Sequence, residues 1–244
     1  MKNKNYTKYI AALASNCRLK RIQSVYYRGK SPEKPASDYY YQFVDENGSI
    51  YKIFWNDGVS EAWVNRWFTP NACNYCDDVF AELSDVTLMD AWLPEYSKES
   101  KGTNLVLVRS PEILDIIQKG IEKEEINVSK ISIEKVIHSQ AGIIELKRKQ
   151  LSYRLYLAEQ KKQKVPEKRV NASKTIGILK RRETILKSKM QEESKRFFLK
   201  YYQSHTLDIK TFRVEMYPYI KQIRHLRLLG RFLLPIRVIK RINK

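Results

Sequence analysis

Cys73 and Cys76 open the stretch of this chain that is densest in reactive side chains. The twenty residues from Cys73 to Trp92 hold both thiols, five carboxylates (Asp77, Asp78, Glu82, Asp85 and Asp90) and a tryptophan. A Cys-x-x-Cys pair is half of a metal site, a redox dithiol, or two small buried thiols at a turn; spacing leaves all three open. Asp77 and Asp78 are adjacent, and consecutive side chains in a strand or turn diverge, so they are not expected to share a proton. Asp85 and Asp90 flank an apolar run, and burying either without a partner is costly. Each is therefore expected to hold backbone amides or a cofactor hydroxyl, with Asp90, at the strand exit, the stronger functional candidate. Lys101-Gly102-Thr103 offers a cation, a close backbone approach and a hydroxyl, which suits an anionic cofactor or makes a plain turn. Cys17 shares helical spacing with Tyr6, Ile10 and Leu13 and is expected to pack as a small apolar residue. His138 has no thiol or carboxylate at ligand spacing, so a surface or capping role is expected. No residue is singled out as catalytic.

These groups need elements to hold them. Glu82 to Leu88 alternates and predicts a strand entering a core behind the cysteine loop. Asn104 to Val108 is a second apolar strand, ended by Arg109. Ser110-Pro111-Glu112 starts a helix with an N-cap, a proline at N1 and an acid in the first turn, and Lys119-Gly120 is expected to stop it. Upstream, Val25 to Arg28 is a short strand. Asp38 to Trp55 is a hairpin: Tyr39, Tyr41 and Phe43 alternate, Asn47-Gly48 turns, and Tyr51, Ile53 and Trp55 alternate back. Arg28 and Lys30, beside these aromatics, line a cofactor or phosphate site or simply decorate a strand face. Trp63 and Trp67 lie four apart in a short helix from Glu61 to Phe68, which predicts both on one side behind the cysteine loop. Ile126 to Val128 reads as another short strand. The class is α/β (α+β): a mixed sheet with flanking helices and a hairpin, followed by a basic helical extension. The division is at residues 1–142 and 143–244.

The formal charge of +19 is uneven: 28 of the 46 basic and 8 of the 27 acidic residues lie after residue 140. The first part is near neutral and the second strongly basic, which points to an anionic partner or to a solvated helical surface. Leu179, Leu186, Met190, Phe197 and Tyr201 mark one long helix. Ile220, Ile223, Leu226, Leu229 and Leu233 mark another, interrupted by Pro235. Residues 217–244 thus form a cationic amphipathic end that lies on an anionic membrane surface or packs on the preceding helix. Nucleic acid ranks third, because the charge comes with no base-reading motif. Three cysteines make no disulfide framework. The N-terminus lacks a signal-like apolar region, and no run approaches the about 20 apolar residues of a spanning helix. The expected place is the cytoplasm, at most peripheral at the membrane.

The order Cys73, Cys76, Asp78, Ala81-Glu82-Leu83-Ser84-Asp85-Val86, Asp90, Trp92, Gly102-Thr103 and Val108-Arg109 closely resembles the C-terminal domain of the coenzyme F420 hydrogenase/dehydrogenase beta-subunit family. Ser139-Gln140 and, more loosely, Pro166-x-Lys168-Arg169 extend the likeness. Met89 stands where the family usually has glycine, and Ser84 where alanine is usual.

The resemblance implies an iron–sulfur flavoprotein oxidoreductase that passes electrons or hydride between a cluster, a flavin (FAD or FMN) and an acceptor such as coenzyme F420. It implies that Cys73 and Cys76 are ligands of a 4Fe-4S cluster, which usually takes four thiolates, so only two are present. Trp63, Trp67 and Trp92 would shield it, and Asp90, Lys101, Gly102 and Thr103 would lie towards the flavin or deazaflavin. Full-length members begin with a ferredoxin-like module and a further domain, so a second chain is expected to supply that N-terminal half. No dinucleotide glycine fingerprint is present, so flavin rests on the resemblance. The alternative is a non-catalytic interaction module whose basic helices dock on an anionic membrane or a polysaccharide-synthesis complex.

Overall fold

The computed structural model describes residues 2–203 and 208–242, with side chains up to residue 200 and from 208 to 232. In chain order the elements are α1 Lys4–Ser15, β1 Ile22–Gly29, β2 Tyr40–Asp45, β3 Ile50–Phe54, α2 Ser60–Val64, β4 Val86–Asp90, α3 Pro94–Ser97 and β5 Asn104–Val108. The helices α4 Pro111–Glu122, α5 Ile133–Ser139, α6 Ala141–Ile144, α7 Gln150–Gln160, α8 Ile178–Gln203 and α9 Ile209–Ile242 follow. The α/β class holds, and the strands pair antiparallel in two small sheets, β1-β2-β3 and β4-β5.

The hairpin forms where alternation and the Asn47-Gly48 turn place it. Gly48 has a φ of +79°, and Asp45 Oδ1 accepts the amides of Asn47 and Ser49, each at 2.9 Å. Phe43, on the inward face of β2, is fully buried.

Five local expectations differ from the structure. Ile126 to Val128 is not a strand. Helix α4 runs past Gly120, and Ile126 folds back on it so closely that a Cβ at Gly120 would lie 2.6 Å from Ile126 Cδ1. Cys17 is exposed: α1 ends at Ser15, and Asn16 and Cys17 turn away with φ of 49° and 63°. Trp63 and Trp67 do not share a side. Helix α2 stops at Val64, and left-handed Arg66 and Phe68 reverse the chain. Trp67 enters the core, while Trp63 stays 41% exposed against Tyr6 and Trp55. Pro235 does not end α9, whose backbone stays helical to Ile242 with the loss of one ladder bond. The side chains of 233–242 and residues 243–244 of the proposed membrane-facing end lie outside the described residues.

One apolar core serves both ends of the sequence. Tyr9 of α1, Trp67 and Phe68 meet Phe198 of α8 and Phe212 of α9, with ring centroids 5.2 to 6.1 Å apart. Met190, Met216, Ile220 and Ile223 complete it. The helices after residue 142 therefore pack against the hairpin domain and supply much of its interior.

Candidate functional site

Pro70, in an extended conformation, starts a single 3-10 turn, Asn71–Asn74, that carries Cys73; Cys76 follows two residues later. Both thiols are half-buried. What fixes this loop comes mostly from far along the chain. Arg154 of α7 donates to Asn74 O at 2.9 Å and to Leu146 O at 3.1 Å. Gln191 of α8 donates to Thr69 O at 2.9 Å, and Lys195 to Asn71 Oδ1 at 2.8 Å. Lys147 Nζ lies 3.3 Å from Cys76 Sγ and donates to Asp78 O. Arg66 Nη2 donates to Asn74 Oδ1 at 2.6 Å. Arg154 and Arg66 are both nine-tenths buried, and neither meets a carboxylate among the described residues. Burial, then Arg66, pulls the Arg154 guanidinium down to about 9.

Two carboxylates beside the thiols, Asp77 and Glu82, are held by cations from later in the chain. Asp77 pairs with Lys168 at 3.7 Å and Arg169 at 3.4 Å, and Glu82 with Arg148 at 2.9 Å and Arg169 at 3.3 Å. Desolvation pushes Glu82 up, but hydrogen bonds with Asp78 and Arg169 outweigh it and hold Glu82 at about 2. Asp78 is raised, chiefly by that same bond with Glu82. Part of the surplus positive charge after residue 140 is thus answered inside the molecule.

Among the described residues, no group of three or more His, Cys, Asp or Glu side chains could hold a metal ion. Cys73 and Cys76 are two donors, and Cys17 lies exposed just beyond α1. The thiols present do not make the four-thiolate set of a 4Fe-4S cluster. Trp67 belongs to the core, and Trp63 and Trp92 are 41% and 40% exposed, so the three tryptophans do not form a common shield.

The second locus is better assembled. Register pairs Asp90, at the end of β4, with Asn104, at the start of β5, so the residues just before β5 lie beside Asp90. Asp90, Lys101, Gly102 and Thr103 line one cavity of about 230 Å³, together with Arg28, Lys30 and Trp92. Arg28 grips the Asp90 carboxylate with Nη1 at 3.0 Å and Nη2 at 2.9 Å, and lies 4.8 Å from the Tyr39 ring centre. The Asp90 carbonyl accepts from Gln140 Nε2 at 2.9 Å and Ser139 Oγ at 3.3 Å, which fixes the strand exit from behind. Gly102 has a φ of +74°, and a Cβ there would lie 2.9 Å from Ala36 Cβ, so packing as well as backbone demands glycine. Burial, then Arg28, lowers the Lys30 ammonium from its ordinary value.

Arg28 also borders a neighbouring cavity of about 340 Å³ walled by Tyr6, Tyr27, Tyr39, Tyr41 and Trp63. The Tyr6 and Tyr41 hydroxyls are 3.2 Å apart, and burial, then Tyr41, raises Tyr6 far above its ordinary value. The aromatic alternation of the hairpin announced Tyr39 and Tyr41, but Tyr6, Tyr27 and Trp63 arrive from α1, β1 and α2, and nothing local announced that Arg28 reaches Asp90.

The sequence profile for the C terminus of the coenzyme F420 hydrogenase/dehydrogenase beta subunit matches residues 1–134, more than half the chain. The chain belongs to the coenzyme F420 hydrogenase/dehydrogenase beta-subunit family. Both loci lie within the matched residues, whereas the α7 and α8 side chains that brace the cysteine loop lie beyond them. No curated protein and no solved structure matches the chain. Membership makes this a redox-type domain of the beta-subunit kind. Among the described residues, no helix is long and apolar enough to cross a membrane.

Proposed function

We propose that this chain is the cofactor-holding part of an iron–sulfur flavoprotein oxidoreductase, an electron- or hydride-transfer domain completed by a second chain. One observation carries the reading: Asp90, Lys101, Gly102 and Thr103 converge with Arg28 and Lys30 on a single cavity inside the family's stretch. Three cations, one carboxylate and a hydroxyl suit the phosphate end of a flavin (FMN or FAD) or of the deazaflavin coenzyme F420. A volume of about 230 Å³ is smaller than a whole cofactor site, which runs to roughly 300–1,000 Å³, so it takes part of the ligand. The tyrosine-walled cavity across Arg28 is the available seat for a flat ring. In this reading Lys30, Lys101 and Thr103 bind the anionic end, while Asp90 holds Arg28 in place. A bound flavin or deazaflavin supplies the hydride or electron chemistry.

This chain alone does not complete a cluster site, because Cys73 and Cys76 are two of the four thiolates that one takes. The thiolates that Cys73 and Cys76 lack are left to the second chain. Support for that chain is the apolar outer face of β4-β5: Leu88 is 68% exposed, with Val86 and Val106 beside it, and neither edge pairs with a further strand among the described residues.

The test is fluorescence titration of the purified chain with FMN, FAD and coenzyme F420. Saturable binding is expected for at least one, weakened about tenfold in Lys101→Met and in Thr103→Val, a loss of roughly one charged hydrogen bond. No binding by any of the three, or binding indifferent to both substitutions, overturns the proposal. A second reading, the non-catalytic module, is favoured by Arg182 and Lys221. They border an apolar groove between α8 and α9 and have no ion pair among the described residues. A chain that stays colourless and floats with anionic liposomes supports that reading.

A further inference from the structure

Between α8 and α9 runs a groove of about 690 Å³, outside the residues that the family profile matches. Ile185 and Leu186 of α8 face Tyr217, Leu226 and Leu228 of α9 across it. On α9 the lining residues Tyr217, Lys221, His225 and Leu228 recur every three or four positions, so they share one face. From Tyr217 to Leu228 that face is about 16 Å long, roughly three helical turns. Nothing within the chain covers its ends: Tyr217 is 54% and Leu228 49% exposed.

The charge around the groove is one-sided. Arg182 and Lys221 line it without an ion pair, Arg224 lines it while paired with Glu61 at 3.2 Å, and no carboxylate among the described residues lines it. Arg182 belongs to α8 and Lys221 to α9. The two helices run antiparallel, since Arg227 meets Glu183 at 3.5 Å and the Phe212 and Phe198 ring centres are 6.1 Å apart. Arg182, next to Glu183, is therefore at the Leu228 end, and Lys221 lies about 10 Å back along the groove, roughly two turns away.

We infer that this groove seats an acidic amphipathic helix of a partner protein. An apolar stripe at i, i+3, i+4 and i+7 fills the floor as a third helix, and carboxylates on its two flanks, one heptad apart, meet Arg182 and Lys221. A trough three turns long matches a rod about 10 Å across, whereas a bilayer surface meets the ridges of a helix pair and not the floor between them. After residue 140 this chain has 28 Lys and Arg against 8 Asp and Glu, so a second copy brings like charge to the groove. None of the lining residues borders the Asp90 cavity or braces the cysteine loop, so cofactor binding and helix docking fail or succeed separately.

Fluorescence anisotropy of a labelled synthetic peptide, titrated with the full chain, tests this. The probe is a capped helix of about 18 residues, long enough to be helical, with leucine at i, i+3, i+4 and i+7 spacing, glutamate on both flanks and alanine elsewhere. Saturable binding is expected. The same composition with its leucines scattered round the helix, and the same peptide with glutamine for every glutamate, are each expected to bind at least about tenfold more weakly. Arg182→Glu and Lys221→Glu, made together, are expected to weaken the acidic probe at least about tenfold, because two attractive contacts become repulsive, and to leave the glutamine peptide unaffected. Leu228→Asp is expected to weaken both peptides. All three positions are exposed. Circular dichroism checks that each variant is folded, and Tyr217→Asp replaces Leu228→Asp if the latter is not. No saturation, equal binding of the scattered peptide, or binding indifferent to the charge reversal overturns the inference. Flotation with phosphatidylglycerol vesicles that the charge reversal abolishes, with no peptide bound, gives the groove to a membrane and also overturns it.

Discussion

Arg154 is the residue on which the cysteine loop most depends. It is buried, has no carboxylate among the described residues, and spends its donors on the Asn74 and Leu146 carbonyls. Arg154→Gln removes the charge-assisted bond to Asn74 O, at the end of the single 3-10 turn of the loop, and with it the bond to Leu146 O that sets the guanidinium in place. Labelling of Cys73 and Cys76 by a bulky thiol reagent is expected to accelerate about tenfold or more in this variant, through easier local opening. Unchanged labelling would mean that Lys147 and Gln191 suffice to hold the loop. The cysteines themselves were legible in the sequence, whereas Asp90 was joined with Lys101, Gly102 and Thr103 only through the family resemblance, because the pairing of β4 with β5 that brings them together is not a local signal. The bracing cations were not. A lysine or arginine on a charged helix defaults to solvent, and only the tertiary fold brings Arg154 within 2.9 Å of a loop eighty positions earlier. Cys17 misled because a helical repeat says nothing about which residue ends the helix.

Among the elements, α8 carries the heaviest duty. Ser194 Oγ accepts the Phe68 amide at 3.0 Å, in the middle of the shared core. Ser194→Ala leaves that amide unpaired and is expected to cost about 1–3 kcal/mol, read from urea denaturation. On the same helix, burial pushes Glu183 up, but Lys187 and Lys180 outweigh it and hold the carboxyl at about 2. Its value in the unfolded chain is near the usual ~4.3. The stability it contributes is therefore complete above about pH 5 and is lost as the pH falls through about 2. Glu183→Gln is expected to flatten the dependence of Tm on pH across that window. It is also expected to lower stability near neutrality by about 3 kcal/mol, because Lys187 stays buried without its partner. Parallel curves for the two proteins would sink this assignment. The hairpin was readable because its two signals, alternation and Asn-Gly, are local. The fate of Ile126 was not, because β-branched residues after a helix suggest a strand until the buried Gly120 is seen to receive one.

For the molecule as a whole, the composition break near residue 140 reads as a boundary, but the packing crosses it. Phe198, Phe212, Met190 and Met216 fill the space between α1 and the Trp67-Phe68 turn. A chain ending at residue 142 is expected to lose cooperative unfolding by circular dichroism and to show collapsed amide dispersion by NMR, since several fully buried rings lose their neighbours. A well-dispersed spectrum from that fragment would show that the core closes without the later helices.

The loop that carries the two thiols is made early and braced late. Cys73 and Cys76 leave the ribosome long before Arg154, Gln191 and Lys195, which hold them in the finished fold. At translation rates of about 5–20 residues per second, a delay of roughly 6–24 seconds separates the thiols from their last brace. During that interval the nascent chain presents both sulfurs on a loop that lacks its late braces. Once α8 docks, the same sulfurs are clasped on a set turn, so the accessibility of this thiol pair is set by the last helices to be made.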